Sequence, residues 1–476
     1  MNVVNSGYSE HGANRRKPSL IKWITSSKSP HEDISENLEL LRERSRDLYA
    51  GGSGLGRGAV ERVVLNALGP GLRLNVRIDP TRLGMTEGEA GEFASEVEAR
   101  FDYWASSRDA DYSRELTFYE LQVLALRSIL LDGECLMLMP TRGRRLCVQL
   151  LESERLCSPL GYAGVNVLDE GVEVDVLTGS PIAYWVTNRN PNSEYLRQPR
   201  IEYTRIPAFL PDGTRNVYHL FPRERIGQHR GVPFLAPVIE QLKQLGRYTD
   251  AELMAAVVSG VFAIFFEHEP REDGVYGEED YASDSGVGED PLAGYPNMQE
   301  MTGTMMDLPE GVKATSLSPG RPNQNFGQFV EALVNQVGGA LGIPSELLLQ
   351  RFTSSYSASR GALLEAWKVF KYWRKWFADN FCQSVYEAWF SQEVEGGRIA
   401  APKYGLDDYH GKLYTWCEWI GPSQGQLDPV KEVNAAVNRI EHNLSTYQRE
   451  AGELTGEDWD LVVSALTRER KKIQGR

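Results

Sequence analysis

The seven histidines are the side chains of this sequence best suited to metal binding or acid–base chemistry, and their spacing supports neither role. They are His11, His31, His219, His229, His268, His410 and His442. No two stand four residues apart on a predicted helix, as zinc hydrolases require. Glu267-His268-Glu269 has metal-binding types, but it borders a long acidic segment and is better explained as a solvated charge run. We therefore predict no metal site.

The sequence also gives no support for nucleotide binding or ester hydrolysis. The glycine-rich run at residues 51–58 is followed by no Lys-Ser/Thr pair and preceded by no predicted strand, so it matches neither a P-loop nor a dinucleotide-binding turn. We interpret it as a turn between two helices. A Gly-x-Ser-x-Gly nucleophile elbow is not predicted either, because residues 421–425, which have that spacing, lie in a proline-glycine linker, and nothing singles out a catalytic pair among the 66 carboxylates. We predict no catalytic residue, no cofactor and no enzymatic activity.

The most distinctive stretch is a long predicted helix with a polar segment before it. Leu363, Trp367, Phe370, Phe377 and Phe381 recur at three- to four-residue steps, which is the spacing of one helical face. An uninterrupted helix over residues 357–393 would be about 55 Å long. Ile343-Pro344 ends the helix before it. The polar segment between them consists of Gln350, Arg351, Phe352, Thr353, Ser354, Ser355 and Tyr356.

Composition limits the class of protein. The chain has 476 residues, 41% of them hydrophobic, which is enough for a substantial core. Its five cysteines form no CxxC pair and are odd in number, which favours reduced thiols in a protein made in a cytoplasm, with no structural zinc. No apolar stretch is long enough to cross a bilayer, so we expect no membrane partner. The formal charge of −15 argues against a protein that grips nucleic acid tightly, but not against one past which nucleic acid slides.

The order of elements predicts an α+β protein. Period-2 stretches separated by Gly, Pro and Asn indicate a β-rich unit within residues 145–230, packed on helices. Residues 267–300 carry eleven acidic residues and one basic residue, which is typical of a solvated loop. Predicted helices cover residues 32–49, 59–68, 87–108, 116–131, 234–259, 326–341 and 357–393, with two or three polar helices at the end. Predicted strands cover residues 72–78, 135–139 and 261–266.

Five runs, in this order and spacing, resemble the lambda-type family of phage portal proteins. They are residues 41–48 (LRERSRDL), Arg127-Ser128 with Asp132-Gly133-Glu134, residues 171–175 (GVEVD) with Ala183-Tyr184, residues 227–233 (GQHRGVP), and residues 356–360 (YSASR) with 363–367 (LLEAW). Each run is weak alone, but the resemblance in their order and spacing covers about residues 35–470, nearly the whole chain. The glycine-rich turn at 51–58 and the acidic segment at 267–300 depart from the family pattern.

The resemblance implies a portal fold, in which subunits form a ring, typically of twelve, at one capsid vertex. Mapped onto this chain, it implies a flexible arm (1–31), a wing (32–233 and 359–427), two stem helices (234–260 and 326–342), a clip with the acidic loop (261–325), a tunnel loop (343–358) and a helical crown (428–476). Its implied partners are double-stranded DNA, the terminase large subunit, a head-completion or connector protein, the major capsid protein and a scaffold.

The same resemblance makes the polar segment Gln350–Tyr356 the predicted DNA-facing part of the channel. A channel that conducts DNA should make few lasting contacts with phosphates, because each contact releases counterions and so stabilises the bound DNA. An acidic subunit suits such a channel. An isolated arginine among Ser and Thr can touch the backbone without reading bases. The implied function is packaging and ejection of viral DNA. The alternatives are another virion structural protein, such as a connector or capsid subunit, and a virion-associated hydrolase.

Overall fold

The computed structural model describes residues 28–193, 200–260, 264–268, 312–316, 325–352, 355–425, 429–456 and 459–474. The chain divides into two compact units, one formed by Met1–Lys243 with Leu333–Arg476 and the other by Gln244–Ala332. The predicted acidic segment lies outside the described residues beyond His268, as do residues 1–27 of the predicted arm. Among the described residues, no helix has the length and apolar character needed to cross a membrane.

Fifteen α-helices are found in the described part of the chain. They are α1 (Pro30–Ser35), α2 (Leu38–Asp47), α3 (Gly54–Ala67), α4 (Pro80–Leu83), α5 (Glu87–Ala105), α6 (Phe118–Asp132), α7 (Ile239–Gly260), α8 (Phe326–Leu341), α9 (Ser345–Leu349), α10 (Tyr356–Phe377), α11 (Gln383–Glu395), α12 (Asp408–Tyr414), α13 (Pro429–Glu441), α14 (Tyr447–Leu454) and α15 (Trp459–Gln474). Two π-helical turns occur, at Leu48–Gly52 and at Ala378–Cys382.

The strands are short and pair in antiparallel fashion. They are β1 (Arg73–Val76), β2 (Cys135–Leu138), β3 (Thr141–Arg142), β4 (Arg145–Leu146), β5 (Gln149–Leu151), β6 (Val167–Asp169), β7 (Val172–Val174), β8 (Pro181–Thr187), β9 (Tyr203–Pro207), β10 (Val217–Leu220), β11 (Ile264–His268), β12 (Val312–Ser316) and β13 (Cys417–Ile420). The largest sheets have the orders β6-β7-β8-β9 and β10-β2-β5. The predicted α+β class is thus confirmed at the level of mixed helices and small sheets.

The predicted long helix is confirmed, and a π-turn interrupts it. The helical conformation runs through α10, Ala378–Cys382 and α11 without a break. Trp367, Phe370, Phe377 and Phe381 are all buried, as their spacing predicts, and Leu363 is half-buried. Beyond the turn, Trp389 packs edge-to-face on Phe101 of α5, with ring centroids 5.1 Å apart. This helix therefore carries much of the core of the first unit.

Three predictions about the first part of the chain need correction. The single helix predicted over 32–49 is two helices, because Asn37 leaves helical geometry and begins α2 as its N-cap. The first of these helices, α1, begins at Pro30, because Ser29 and Glu32 form a capping box there. Pro30 and His31, which were predicted to belong to the flexible arm, are therefore helical. The turn predicted over 51–58 is wrong beyond Ser53, whose hydroxyl caps α3, so that three of the glycines are helical.

The segment 343–358, predicted as a loop, contains the short helix α9. Pro344 precedes it, and Leu348 anchors it in the core at 6% exposure. The turn from α8 into α9 requires a glycine at 338, because a Cβ there would lie 2.4 Å from the carbonyl oxygen of Ile343. The polar link is therefore limited to the residues after Leu349.

The second unit is described only in part. Within it, the ring of Tyr248 on α7 packs against Phe326 and Phe329 of α8, with centroids 5.4 and 4.9 Å away. The strand predicted over 261–266 corresponds to β11, which covers Ile264–His268 and pairs with β12. Leu253, Met254 and Val257 of α7 are more than half exposed in the single chain.

Candidate functional site

The predicted DNA-facing segment lies between α9 and α10. Gln350 ends α9 in the left-handed conformation, with φ of 54°. Ser355 caps α10, because its side chain accepts from the amide of Ala358. Thr353 and Ser354 lie outside the described residues. The segment is thus held at both ends by helix-terminal contacts that its sequence specifies.

All the described members of this segment are exposed: Gln350, Arg351, Phe352, Ser355 and Tyr356. Phe352 and Tyr356 each expose 53% of their surface. The backbone amide of Arg351 donates to the carbonyl of Glu346 at 3.0 Å. Within the described part of the chain, the guanidinium of Arg351 has neither an ion pair nor a hydrogen bond. A cation and two aromatic rings are therefore free to contact something outside this chain.

Gln350 also connects the segment to helix α3. With its amide oxygen turned toward Arg62, it accepts from Nη1 of that side chain at 3.0 Å. Helix α3 in turn packs against α10. The exposed segment is thereby fixed to two helices of the core.

A buried ionic node forms a second notable site, which we define as Arg42, Glu134, His219 and Arg230. The carboxylate of Glu134 is fully buried, and Arg230 donates to it from Nη2 at 2.6 Å and from Nε at 2.9 Å. Nη2 of Arg42 lies 2.8 Å from the same carboxylate, and Nε2 of His219 lies 3.0 Å from it. The amide of Gly231 donates to it at 2.7 Å. Four hydrogen-bond donors, from Arg230, His219 and Gly231, thus surround one carboxylate, and the guanidinium of Arg42 adds an ion pair.

The groups of the node shift each other's pKa values. Burial alone would raise the pKa of Glu134, but Arg230, Arg42 and His219 hold it well below its ordinary value. Burial lowers the pKa of His219, and the neighbouring Glu134 offsets this only in part. At neutral pH the node therefore holds two guanidinium groups, one carboxylate and a neutral imidazole.

Two glycines allow the backbone around the node to approach closely. Gly133 ends α6 with φ of 88°, and a Cβ there would lie 2.5 Å from the carbonyl carbon of Val232. A Cβ on Gly231 would lie 2.1 Å from the carbonyl oxygen of Gly133. No side chain fits at either position, so both must be glycine.

The node brings together three of the five runs that carry the family resemblance: residues 41–48, Asp132-Gly133-Glu134 and residues 227–233. Arg46, one turn beyond Arg42, adds a bond of 2.7 Å to Asp132. The sequence analysis quoted these runs but did not predict that their charges meet. An indication was available, since Arg42 and Arg46 share one helical face and Glu134 directly precedes an apolar strand.

A smaller polar contact joins α1 to the β-rich unit. Asp169 accepts from His31 at 2.5 Å and from His229 at 3.1 Å. The hydrogen bond to Asp169 raises the pKa of His229. In the described part of the chain, no group of three or more His, Cys, Asp or Glu is arranged to hold a metal ion. The considered motif Glu267-His268-Glu269 falls largely outside it, with only the backbone of β11 described.

Comparison with known proteins identifies the family. The family described as phage portal protein, lambda family, matches residues 16–374, well over half of the chain. Portal protein B of Escherichia phage lambda is 24% identical over 478 residues, covering 94% of this chain and 87% of that protein. The portal protein of Escherichia phage N15 is also 24% identical, with the same coverage over 475 residues.

Among solved structures, the neck of a native GTA particle, computed with C12 symmetry, has a TM-score of 0.44 and 13% identity, covering 88% of this chain and 92% of that one. The virion of a native gene transfer agent particle gives a TM-score of 0.44 and 12% identity over 87% and 92%.

The family match begins before α1 and ends inside α10, so it includes both the buried node and the exposed segment. It favours a portal over the alternatives of a connector, a capsid subunit or a hydrolase. The chain therefore belongs to the lambda family of phage portal proteins, structural components of the virion that have the portal role at the capsid vertex.

Proposed function

We propose that twelve copies of this chain form a ring through whose channel viral DNA is packaged and later ejected. The terminase large subunit docks on the ring during packaging, and a head-completion or connector protein replaces it afterwards. The major capsid protein and a scaffold incorporate the ring into the capsid, in the host cytoplasm. Membership in the portal family supports this proposal, and the role is structural rather than enzymatic.

Exposed apolar side chains support the ring. Leu253, Met254 and Val257 on α7 expose 65%, 64% and 57% of their surface in the single chain. Val430 and Val433 on α13 expose 70% and 46%. Contiguous apolar surface of this kind is typical of subunit interfaces, and neighbouring copies would bury it. We assign α7 and α8 to the stem, β11 and β12 to the clip, and α13–α15 to the crown.

The single observation that carries the DNA-facing role is the free guanidinium of Arg351 beside the exposed ring of Phe352. A subunit of net charge −15 repels DNA over most of its surface. The guanidinium of Arg351 in each subunit then supplies a limited number of phosphate contacts, each weak enough to exchange as DNA advances. Residues 350–356 from all subunits together would form a narrow ring of such contacts.

The experiment compares Arg351→Ala with Arg144→Ala. Arg144 is an exposed arginine in the turn between β3 and β4, and serves as the matched control. Ring formation is checked by electron microscopy, and packaged DNA is measured per particle at several ionic strengths. We expect both variants to form rings and to enter procapsids, and only Arg351→Ala to retain less DNA, with a salt-dependent defect.

The competing explanation is that Arg351 pairs with a carboxylate of the neighbouring subunit. It predicts fewer or less stable rings for Arg351→Ala and normal packaging in the rings that do form. That result would remove Arg351 from the DNA-facing surface.

A further inference from the structure

Strand β10 is an edge strand with an accessible side. It pairs with β2 on one side, from Val217 opposite Leu138 to Leu220 opposite Cys135. On its other side, the amides of Asn216 and Val217 donate to Ala208 at 2.9 and 3.4 Å, and no described strand pairs with the residues after them. Such an edge offers backbone groups to which an extended peptide can add as another strand.

This edge borders a groove of about 530 Å³. One wall contains four consecutive residues, Tyr218–Phe221, and the other is the π-turn region of the long helix, with Trp376, Asp379, Asn380 and Ser384. The charge of Asp379 is compensated by Lys375, whose Nζ lies 2.8 Å from the carboxylate. Because successive residues of a strand point to opposite faces, four lining residues in a row indicate that the backbone edge itself faces the groove. The groove is therefore shaped for an extended chain along β10.

An arginine lies at each end of the groove along β10, Arg215 before the strand and Arg223 after it. The guanidinium of Arg215 lies 5.3 Å from the ring centre of Phe209 and 5.9 Å from that of Tyr218. The guanidinium of Arg223 lies 5.7 Å from the ring centre of Phe221. Both side chains are exposed, and within the described part of the chain neither pairs with a carboxylate. Stacking on aromatic rings pre-orients both cations, so less conformational entropy is lost when they bind an anion.

We propose that this groove binds an extended acidic segment of a partner protein. The segment adds a strand to the free edge of β10 and places carboxylates on Arg215 and Arg223. Charge complementarity selects the segment, because the described part of the chain provides no carboxylate partner for either cation, and the net charge of the sequence is −15. A DNA duplex is also anionic, but it has no amide and carbonyl groups with which to extend the sheet.

The test uses three fluorescent ten-residue peptides and the purified full-length protein. The first alternates Glu with Val and Thr, the second has Gln at every Glu position, and the third is the acidic peptide N-methylated on alternate backbone amides. Binding is measured by fluorescence anisotropy, with a 20-base-pair DNA duplex as competitor. We expect only the unmodified acidic peptide to bind, because the second lacks the charges and the third lacks the donors that the strand edge requires.

Charge reversal locates the site. The double variant R215E/R223E should weaken binding by about tenfold or more, whereas R144E, at an exposed arginine elsewhere, should leave it unchanged. Equal binding of the N-methylated peptide would overturn strand addition. Unchanged binding to R215E/R223E would overturn the location. Displacement of the peptide by the DNA duplex would assign the groove to nucleic acid, and loss of binding on ring assembly would assign it to a second copy; either result overturns the proposal.

Discussion

Arg230 and Glu134 lie 96 residues apart in the chain, yet Nη2 of the arginine is 2.6 Å from Oε1 of the carboxylate in the protein interior. The same guanidinium donates to the carbonyl oxygens of Leu156 at 3.1 Å and Ser153 at 3.2 Å. Arg230 itself lies in the segment before α7. Its side chain thereby connects this segment with the end of α6 and with the segment that follows β5. This one side chain therefore contributes to the relative placement of three parts of the first unit.

We therefore expect Arg230→Met to destabilise the first unit by about 3–5 kcal/mol, because it leaves the buried carboxylate of Glu134 short of its main partner. The double variant Glu134→Leu with Arg230→Met should recover part of this loss, since no unpaired charge then remains. Urea unfolding followed by tryptophan fluorescence measures both. A double variant less stable than the single variant would contradict this account of the node.

Acid should destabilise the protein in two stages. His219 has a lowered pKa in the folded state, so the unfolded state binds its proton first and stability falls as the pH drops below about 6.5. Glu134 also has a lowered folded pKa, so its contribution is lost only as the pH falls below about 4.3. His229 has a raised pKa in the folded state, so it has the opposite effect. Its contribution to stability is lost as the pH rises through its pKa in the folded protein.

His219→Gln isolates the first stage. We expect the urea midpoint of the wild-type protein to fall between pH 7 and 5, and that of the variant to fall less, because glutamine does not titrate. The contribution of His229 is common to both proteins and cancels in the difference, and the stability contribution of Glu134 is lost only below this pH range. Parallel curves over this range would show that His219 does not titrate on unfolding.

Trp367→Ala should cost about 3–5 kcal/mol, as expected for removal of a buried aromatic side chain. Trp367 is 8% exposed, and its ring lies 6.0 Å from that of Phe370. Tyr372, on the same helix but 61% exposed, provides the control, and Tyr372→Ala should change the unfolding free energy by less than about 0.5 kcal/mol. Similar thermal unfolding of the two variants would remove Trp367 from the core.

Arg374 fixes the end of α3 to the segment before the C-terminal helices. It donates to the carbonyls of Ala67 at 2.8 Å, Asn66 at 3.0 Å and Pro422 at 2.6 Å, and burial lowers its pKa to about 10. Arg374→Met should destabilise the protein by at least about 2 kcal/mol, because buried carbonyls lose a charged donor.

Hydrogen exchange provides the specific measurement for this prediction. Amides near residues 67–71 and 421–425 should exchange faster in Arg374→Met. Lys375→Met is the control, since the Lys375 side chain is 79% exposed and bonds only within its own helix, to Asp379. Faster exchange spread evenly over the whole chain would contradict a local role for Arg374.

Local patterns predicted the elements that periodicity defines, such as α8 over residues 326–341 and the buried face through Phe377. They did not predict β13, because its partner β1 lies more than 300 residues earlier, with Val76 opposite Cys417. The DNA-facing segment was located from its polar composition and the family resemblance. The buried ionic node was not predicted, because tertiary packing brings Glu134 and Arg230 into contact and their spacing along the chain does not indicate it.

The π-turn at Ala378–Cys382 has a consequence for changes in chain length. Before it, the buried positions include Phe370, Trp373 and Phe377; beyond it they are Val385, Tyr386, Trp389 and Phe390, one residue later than a period of 3.6 continued from Phe370 would place them. A π-turn accommodates one additional residue, and so it returns the second half of the buried face to the core. Loss of a single residue inside the turn would leave a regular α-helix with its apolar face intact. The same loss elsewhere between Trp367 and Phe390 would rotate one half of that face by about 100° toward solvent. The helix is thus tolerant of a deletion at one place along its length and intolerant of it on either side.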